Sequence, residues 1–240
     1  MYGYRGRLGL IVPSSNTTNE PEFWRGSPDG VSVHSARMTL ESVTEEELVD
    51  MAADVESCVE KLATADVDAI AFGCTTGSLV KGKGYDEEIK SMIEAEAGVP
   101  AVATSTAIMR AFDAVGAESL AIATPYTDQI NDREVEFLAD NGYAVTDITG
   151  LGIEPNVGIG RQEPSTAYRI GRGVDSSDAD AVFLSCTNFH TFDVIEQLEA
   201  DIGKPVISSN SATLWAALHL LDVDTGGVPL GELYDHDGNW

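Results

Sequence analysis

The stretch DVDAIAFGCTTGS (Asp66 to Ser78) returns in altered form 112 residues later as DADAVFLSCTNFH, which sets Cys74 against Cys186. The opening run GRLGLIVPSSN is matched by ESLAIATPYTD, and Pro13 to Pro125 is the same interval; GVPAVATSTA from Gly98 resembles GKPVISSNSA from Gly203, at an offset of 105. A repeat this long is a whole supersecondary assembly copied once. It predicts an α/β protein of two pseudo-symmetric halves, each a parallel four-stranded sheet flanked by helices. The halves are expected at 1–113, with Cys74, and 114–227, with Cys186. A tail at 228–240 follows, and the segment 211–240 has the option of packing back on the first half.

Within the first half, apolar runs predict strands near 7–12, 31–38, 67–73 and 100–104, and in the second near 118–123, 144–149, 180–185 and 205–208. Thr44 with Glu47 reads as a capping box opening a helix over 45–63, whose Leu48, Met51, Val55, Cys58, Val59 and Leu62 recur at helical spacing. A helix near 85–96 places Ile89, Met92 and Ile93 on one face. Pro164 opens another, and Phe192 to Ala200 continues one more. Parallel sheets bind ligands beyond the carboxyl ends of their strands. That rule collects the turns Pro13 to Asn16, Cys74 to Ser78, Thr104 to Ser105, Tyr126 to Asp128, Cys186 to Asn188 and Ser208 to Asn210 around one cleft.

Charge narrows the partners. Forty acidic residues against 14 basic ones, only five of them lysines, give a formal net charge of −26. Phosphate binding needs a basic surface, so no nucleic-acid partner is expected. The acid excess is dispersed along the chain, as suits a surface adapted to high salt, where the screening length falls to about 3 Å at molar concentration. A halophile's cytoplasm is the expected location. The start MYGYRGRLGLIVP lacks the apolar stretch of a signal peptide, and no 18 apolar residues run together, so no membrane partner is expected. Three cysteines without a CxxC support neither a disulfide framework nor a metal site.

A lone cysteine is more often a small buried residue than a catalyst, and Cys58 fits that role on its apolar helix face. Cys74 and Cys186 each sit where a strand gives way to what reads as a helix N-terminus, a setting that favours a thiolate. Their recurrence at equivalent positions favours a catalytic pair. Two thiols on opposite sides of a small substrate can remove a proton from one face and return it to the other, or one can add to carbon while the other moves the proton. The GxG at Gly158 and Gly160 lacks the third glycine and the strand context of a dinucleotide site, so no cofactor is expected.

The motifs PSSNTTNE (Pro13 to Glu20), GCTTGS (Gly73 to Ser78), TPYTDQIN (Thr124 to Asn131), GIEPNVGIG (Gly152 to Gly160) and SCTNFH (Ser185 to His190) resemble those of the maleate cis-trans isomerase and arylmalonate decarboxylase branch of the aspartate/glutamate racemase superfamily. The resemblance runs from about residue 7 to about 225. It implies an aspartate/glutamate racemase-like fold, a small dicarboxylate substrate, no cofactor and a homo-oligomer. The superfamily also contains amino-acid and hydantoin racemases, a protein of ectoine utilisation and the decarboxylases, which keep only the second cysteine. Thr75-Thr76 and Thr187-Asn188 differ from the usual racemase residues after each cysteine.

Carried onto this chain, the resemblance implies that Cys74 adds to the double bond of maleate to give a succinyl-cysteine, with Cys186 donating the proton. It implies that Asn16, Thr75, Thr76, Tyr126, Asn156, Thr187 and Asn188 hold the carboxylates. Local alternatives stand beside these roles: Asn16 as an Asx turn, Tyr126 as a core phenol, Asn156 as a turn residue, His190 as structural, Arg110 and Arg161 as surface groups. A racemase, a decarboxylase-like enzyme and a non-catalytic carboxylate-binding protein remain open, although a binding module needs no thiol pair.

Overall fold

In the first half of the computed structural model, which describes residues 1–237, the order is β1 (Gly6–Pro13), α1 (Asn19–Gly26), β2 (Val31–Met38), α2 (Glu45–Asp50), α3 (Val55–Ala63), β3 (Ala69–Phe72), α4 (Thr75–Leu79), α5 (Tyr85–Ala97), β4 (Ala101–Ala103) and α6 (Thr104–Val115). The second half runs β5 (Ser119–Thr124), α7 (Asp128–Asp140), β6 (Ala144–Gly150), α8 (Asn156–Ile159), α9 (Pro164–Val174), β7 (Ala181–Leu184), α10 (Ile195–Ile202), β8 (Val206–Ser208) and α11 (Ser209–Leu220). Residues 238–240 of the expected tail lie outside the described residues.

Each half forms a parallel four-stranded sheet, ordered β2-β1-β3-β4 in the first and β6-β5-β7-β8 in the second. The copied sequence therefore yields a copied topology. The central strands AIAF and AVFL are buried along their whole length, because helices cover both faces of each sheet. Strand β6 is the exception: it lies at a sheet edge, has only exposed and half-buried residues, and leaves Asp147 exposed. A charge on an edge strand discourages pairing with a second chain. The final helices of the two halves cross over, since α11 packs against α6, β3 and β4, while α6 contacts β8.

Three local expectations are corrected. The helix over 45–63 is interrupted by a 3₁₀ turn, Met51–Asp54, between α2 and α3. Leu48, Met51, Val55, Cys58, Val59 and Leu62 are nevertheless all buried, because steps of three and four keep one face inward in either helix type. The capping box is half formed. Thr44 Oγ1 accepts from the Glu47 N–H at 3.4 Å, but Glu47 Oε2 reaches past Thr44 to the N–H groups of Glu41 (2.9 Å) and Ser42 (2.8 Å). Met92 is exposed, while Ile89 and Ile93 are buried on the face that α5 turns inward.

The helix expected from Phe192 starts only at Ile195. Its would-be first N–H groups, on Thr191 and Phe192, point instead at the buried carboxylate of Glu22, at 2.7 and 3.0 Å. A strap over residues 39–44 joins the two halves. Ser42 pairs with Pro155 in an isolated antiparallel bridge, Val43 N–H donates to Glu154 O, and Asn156 N–H donates to Glu41 O.

Candidate active site

The turn after β3 presents Cys74 as the N-cap of α4, with an extended backbone and its Sγ accepting from the Gly77 N–H at 3.3 Å. A side chain at Gly77 would press on this thiol, since an added Cβ would lie 2.9 Å from Cys74 Sγ and 2.6 Å from the Met51 methyl. The Thr76 side chain also favours the thiolate. Cys186 ends β7 differently, and here the expected helix N-terminus is absent: residues 187–189 form a turn, and Cys186 holds φ at 107°. A non-glycine residue in that region is uncommon and costs of the order of 1–3 kcal/mol, so the surroundings must hold it there. Ser209 Oγ does so by accepting from the Cys186 N–H at 3.0 Å. The Cys186 sulfur accepts from the Asn188 N–H at 3.3 Å, and the Tyr126 hydroxyl favours its thiolate.

The polar residues singled out from the sequence converge on these two turns. Asn16 Oδ1 accepts from the N–H groups of Thr18 and Asn19, both at 2.9 Å, which makes it an Asx turn, while its Nδ2 donates to Thr187 Oγ1 at 3.1 Å. Its local and its tertiary roles are both real. Thr187 Oγ1 donates to Gly73 O at 3.2 Å, tying one cysteine turn to the other. Thr75 Oγ1 donates to Ser209 Oγ at 2.8 Å, so Ser209 bridges the two turns. Asn188 Oδ1 accepts from the Thr17 N–H at 2.9 Å, its Nδ2 donates to Asn156 O at 2.7 Å, and Asn156 Nδ2 donates to Ser15 Oγ at 2.8 Å. Gly160 closes this corner, where an added Cβ would meet Thr17 Oγ1 at 2.4 Å and Asn188 Oδ1 at 2.9 Å.

Cys74, Cys186, Asn16, Thr75, Thr76, Tyr126, Asn156, Thr187 and Asn188 are all buried. The others fall outside the cluster. His190 faces Gly160 O and Thr18 Oγ1 and not the thiol, and Arg161 is exposed. Four participants were not singled out from the sequence: Ser209, Ser15, Glu22 and Glu134. Ser209 stood in a turn already placed at the cleft. The two glutamates had a signal as well, for NEPE (Asn19 to Glu22) and NDRE (Asn131 to Glu134) are also 112 residues apart.

Electrostatics couples the two sulfurs. Burial pushes the Cys74 thiol up to about 11, opposed by the Gly77 N–H and the Thr76 side chain. Burial pushes Cys186 up to about 12, with the negative charges of Cys74 and Glu134 adding to it and the Tyr126 hydroxyl and Asn188 N–H opposing. Because loss of the proton from one sulfur holds the proton on the other, the pair gives up one proton before two. One thiolate beside one thiol is the combination that adds a sulfur to one carbon and a proton to its neighbour. Among the described residues no group of histidine, cysteine and carboxylate side chains could hold a metal ion, and no helix is long and apolar enough to cross a membrane.

Known proteins share this architecture. A maleate isomerase of Geobacillus stearothermophilus is 31% identical over 233 residues, 91% of this chain and 93% of its own. The crystal structure of a cysteine-to-alanine variant of a Pseudomonas putida maleate isomerase with maleate superposes with a TM-score of 0.92 at 29% identity, over 97% of this chain and 98% of that one. A cysteine-to-serine variant of the Nocardia farcinica maleate cis-trans isomerase, with a covalently bound succinylcysteine intermediate, gives 0.90 at 26% identity, over 95% and 98%. The model of the arylmalonate decarboxylase family matches residues 8–234, and the chain belongs to that family.

Proposed function

We propose that this protein isomerises maleate to fumarate through a succinyl-cysteine on Cys74, without a cofactor. The observation that carries the reading is the pair of buried thiols at repeat-related positions, each held by its own backbone N–H and ringed by neutral donors. The likeness to maleate isomerases over nine-tenths of the chain, one of them with a succinylcysteine, supports it. In the first step the Cys74 thiolate forms a bond to one olefinic carbon, and the π electron pair moves to the neighbouring carbon and its carboxylate. Cys186 then gives its proton to that carbon and becomes the thiolate. Rotation about the new single bond and reversal of both steps return Cys186 to a thiol, Cys74 to a thiolate, and release fumarate.

Asn16, Thr75, Thr76, Tyr126, Asn156, Thr187 and Asn188 serve as the carboxylate cradle. Amide and hydroxyl donors stabilise the charge that develops on the carboxylate during addition without placing a fixed cation beside the reacting sulfur. A cation there would hold Cys74 as a permanent thiolate. The retention of a thiol in both halves favours isomerisation over decarboxylation, because addition and proton return need both. Incubation with maleate should yield fumarate in the proton NMR spectrum at a rate proportional to enzyme. Folded protein that produces none, while releasing carbon dioxide from an arylmalonate or exchanging the α-proton of an amino acid, would refute the assignment.

We also propose that the dispersed acidic surface is an adaptation to the cytoplasm of a high-salt cell. At −26, self-repulsion weakens sharply as salt shortens the screening length. Thermal unfolding followed in dilute buffer and in molar potassium chloride should show a large rise of Tm with salt; equal values would sink the idea.

A further inference from the structure

The repeat copies a buried carboxyl as well as a thiol. Glu22 on α1 and Glu134 on α7 are 112 residues apart, the interval that relates Cys74 to Cys186, and both are buried. Their surroundings are not copied. Glu22 is saturated: Oε1 accepts from the Thr191 and Phe192 N–H groups, and Oε2 from Asn210 Nδ2 at 2.6 Å and Thr191 Oγ1 at 3.3 Å. Among the described residues Glu134 has one donor, Ser185 Oγ, 2.6 Å from Oε1, and its Oε2 has no partner.

The reason lies in the two cysteine turns. After Cys186 no helix forms, so the N–H groups of Thr191 and Phe192 are free for a carboxylate. The equivalent residues after Cys74, Leu79 and Val80, are the last residue of α4 and its C-cap, so that stretch is wound into a helix. An ionised carboxyl without donors is strongly disfavoured in a buried site, whereas a neutral one is tolerated.

Resting on the isomerase reading, we propose that Glu134 is a positioning residue for the proton transfer at Cys186: as a neutral carboxyl it holds the Ser185–Cys186 corner and keeps negative charge away from the sulfur, and its ionisation slows turnover in alkali.

The groups that face it are few. Cys186 and Tyr126 both feel its charge. Among the elements packed on α7, α4 carries no titratable residue apart from Cys74 at its N-cap, and the Asp147 of β6 is exposed. Arg133 and Glu136 on α7 itself pair at the surface. Burial raises the carboxyl to about 7, with the Ser185 hydroxyl pulling it down. Below that pH the group is neutral and Cys186 can become a thiolate as it yields its proton. Above it, a second negative charge opposes that thiolate, so the rate of proton transfer falls.

The test is the pH profile of kcat for maleate in wild type, Glu134→Gln and Ser185→Ala, with folding of each checked by circular dichroism. The Cys74 thiolate fraction rises with pH towards about 11 in every variant, so the readout is the ratio of kcat in wild type to kcat in Glu134→Gln, which should fall above a single-proton midpoint near 7. Glu134→Gln should be a few-fold slower at low pH and lack this transition. Ser185→Ala should keep the transition but move its midpoint upward, since the carboxylate loses its one donor; a merely structural role would leave the midpoint in place. A wild-type profile parallel to that of Glu134→Gln through this range, or, should Glu134→Gln not fold, an unmoved midpoint in Ser185→Ala overturns the proposal while leaving the isomerase reading intact. Wild type that makes no fumarate at any pH overturns the isomerase reading and this role with it.

Discussion

A Cys186→Ser variant given maleate will acquire the mass of one maleic acid on Cys74 and release fumarate at about 10³-fold below the wild-type rate, or slower. Addition needs the Cys74 sulfur, which the substitution leaves in place with its Gly77 N–H and Thr76 contacts, and the neighbouring carbon then takes its proton from water, slowly, in place of Cys186. Elimination needs a base at residue 186 to take the proton back from carbon. A serine hydroxyl is a far weaker acid than a thiol, so its alkoxide is not available for that step. The adduct therefore accumulates, and peptide mapping by mass spectrometry will place it. The reciprocal Cys74→Ser variant will carry no adduct and lose a comparable factor in kcat, because the alcohol is a poor nucleophile with no base beside it. Full activity in Cys74→Ser, or an adduct mapped to Cys186, would reverse the assignment of roles.

The second large effect concerns a residue that touches neither thiol. Glu22→Ala will destabilise the protein by about 4 kcal/mol, a large share of the 5–15 kcal/mol that holds a typical domain together. It removes the acceptor of two backbone N–H groups, the Asn210 amide and the Thr191 hydroxyl, all buried, at the joint between α1 and the second half. Asn210 Nδ2 also donates to Thr187 O, so the loosened joint reaches the Cys186 turn. Glu20, two residues earlier, gives the comparison. It pairs with Arg37 at 2.7 Å, but both side chains are a third or so exposed, and Glu20→Gln will cost less than about 1 kcal/mol. Urea midpoints for the two variants, measured at fixed salt, check this; similar losses in both would show that the Glu22 donor set contributes little.

The same contrast explains which parts of the molecule could be read in advance. The positions of the strands, the burial of AIAF and AVFL, and the placing of both cysteines at strand ends follow from apolar runs and from one interval repeated along the chain. Those patterns are local or periodic, because a buried parallel strand must be apolar throughout and a duplicated half repeats its punctuation. The helix over 45–63 was legible as a face but not as a conformation, since steps of three and four suit a 3₁₀ turn as well as an α-helix. Asn16 was legible as a turn, yet its bond to Thr187 joins residues 171 apart and leaves no trace in spacing.

Two cysteines, their equivalence and the neutral character of the residues around them were thus decided by the chain's own pattern. Their inequivalence was decided by packing. One cysteine caps α4 while the other is held at positive φ by Ser209, a partner 23 positions away, and one copied glutamate finds four donors while the other finds one. How fully a buried carboxyl is hydrogen-bonded depends on how many N–H groups the fold leaves free to meet it, and burial raises both of these carboxyls. In this protein that number was set by whether the turn after each cysteine closed into a helix.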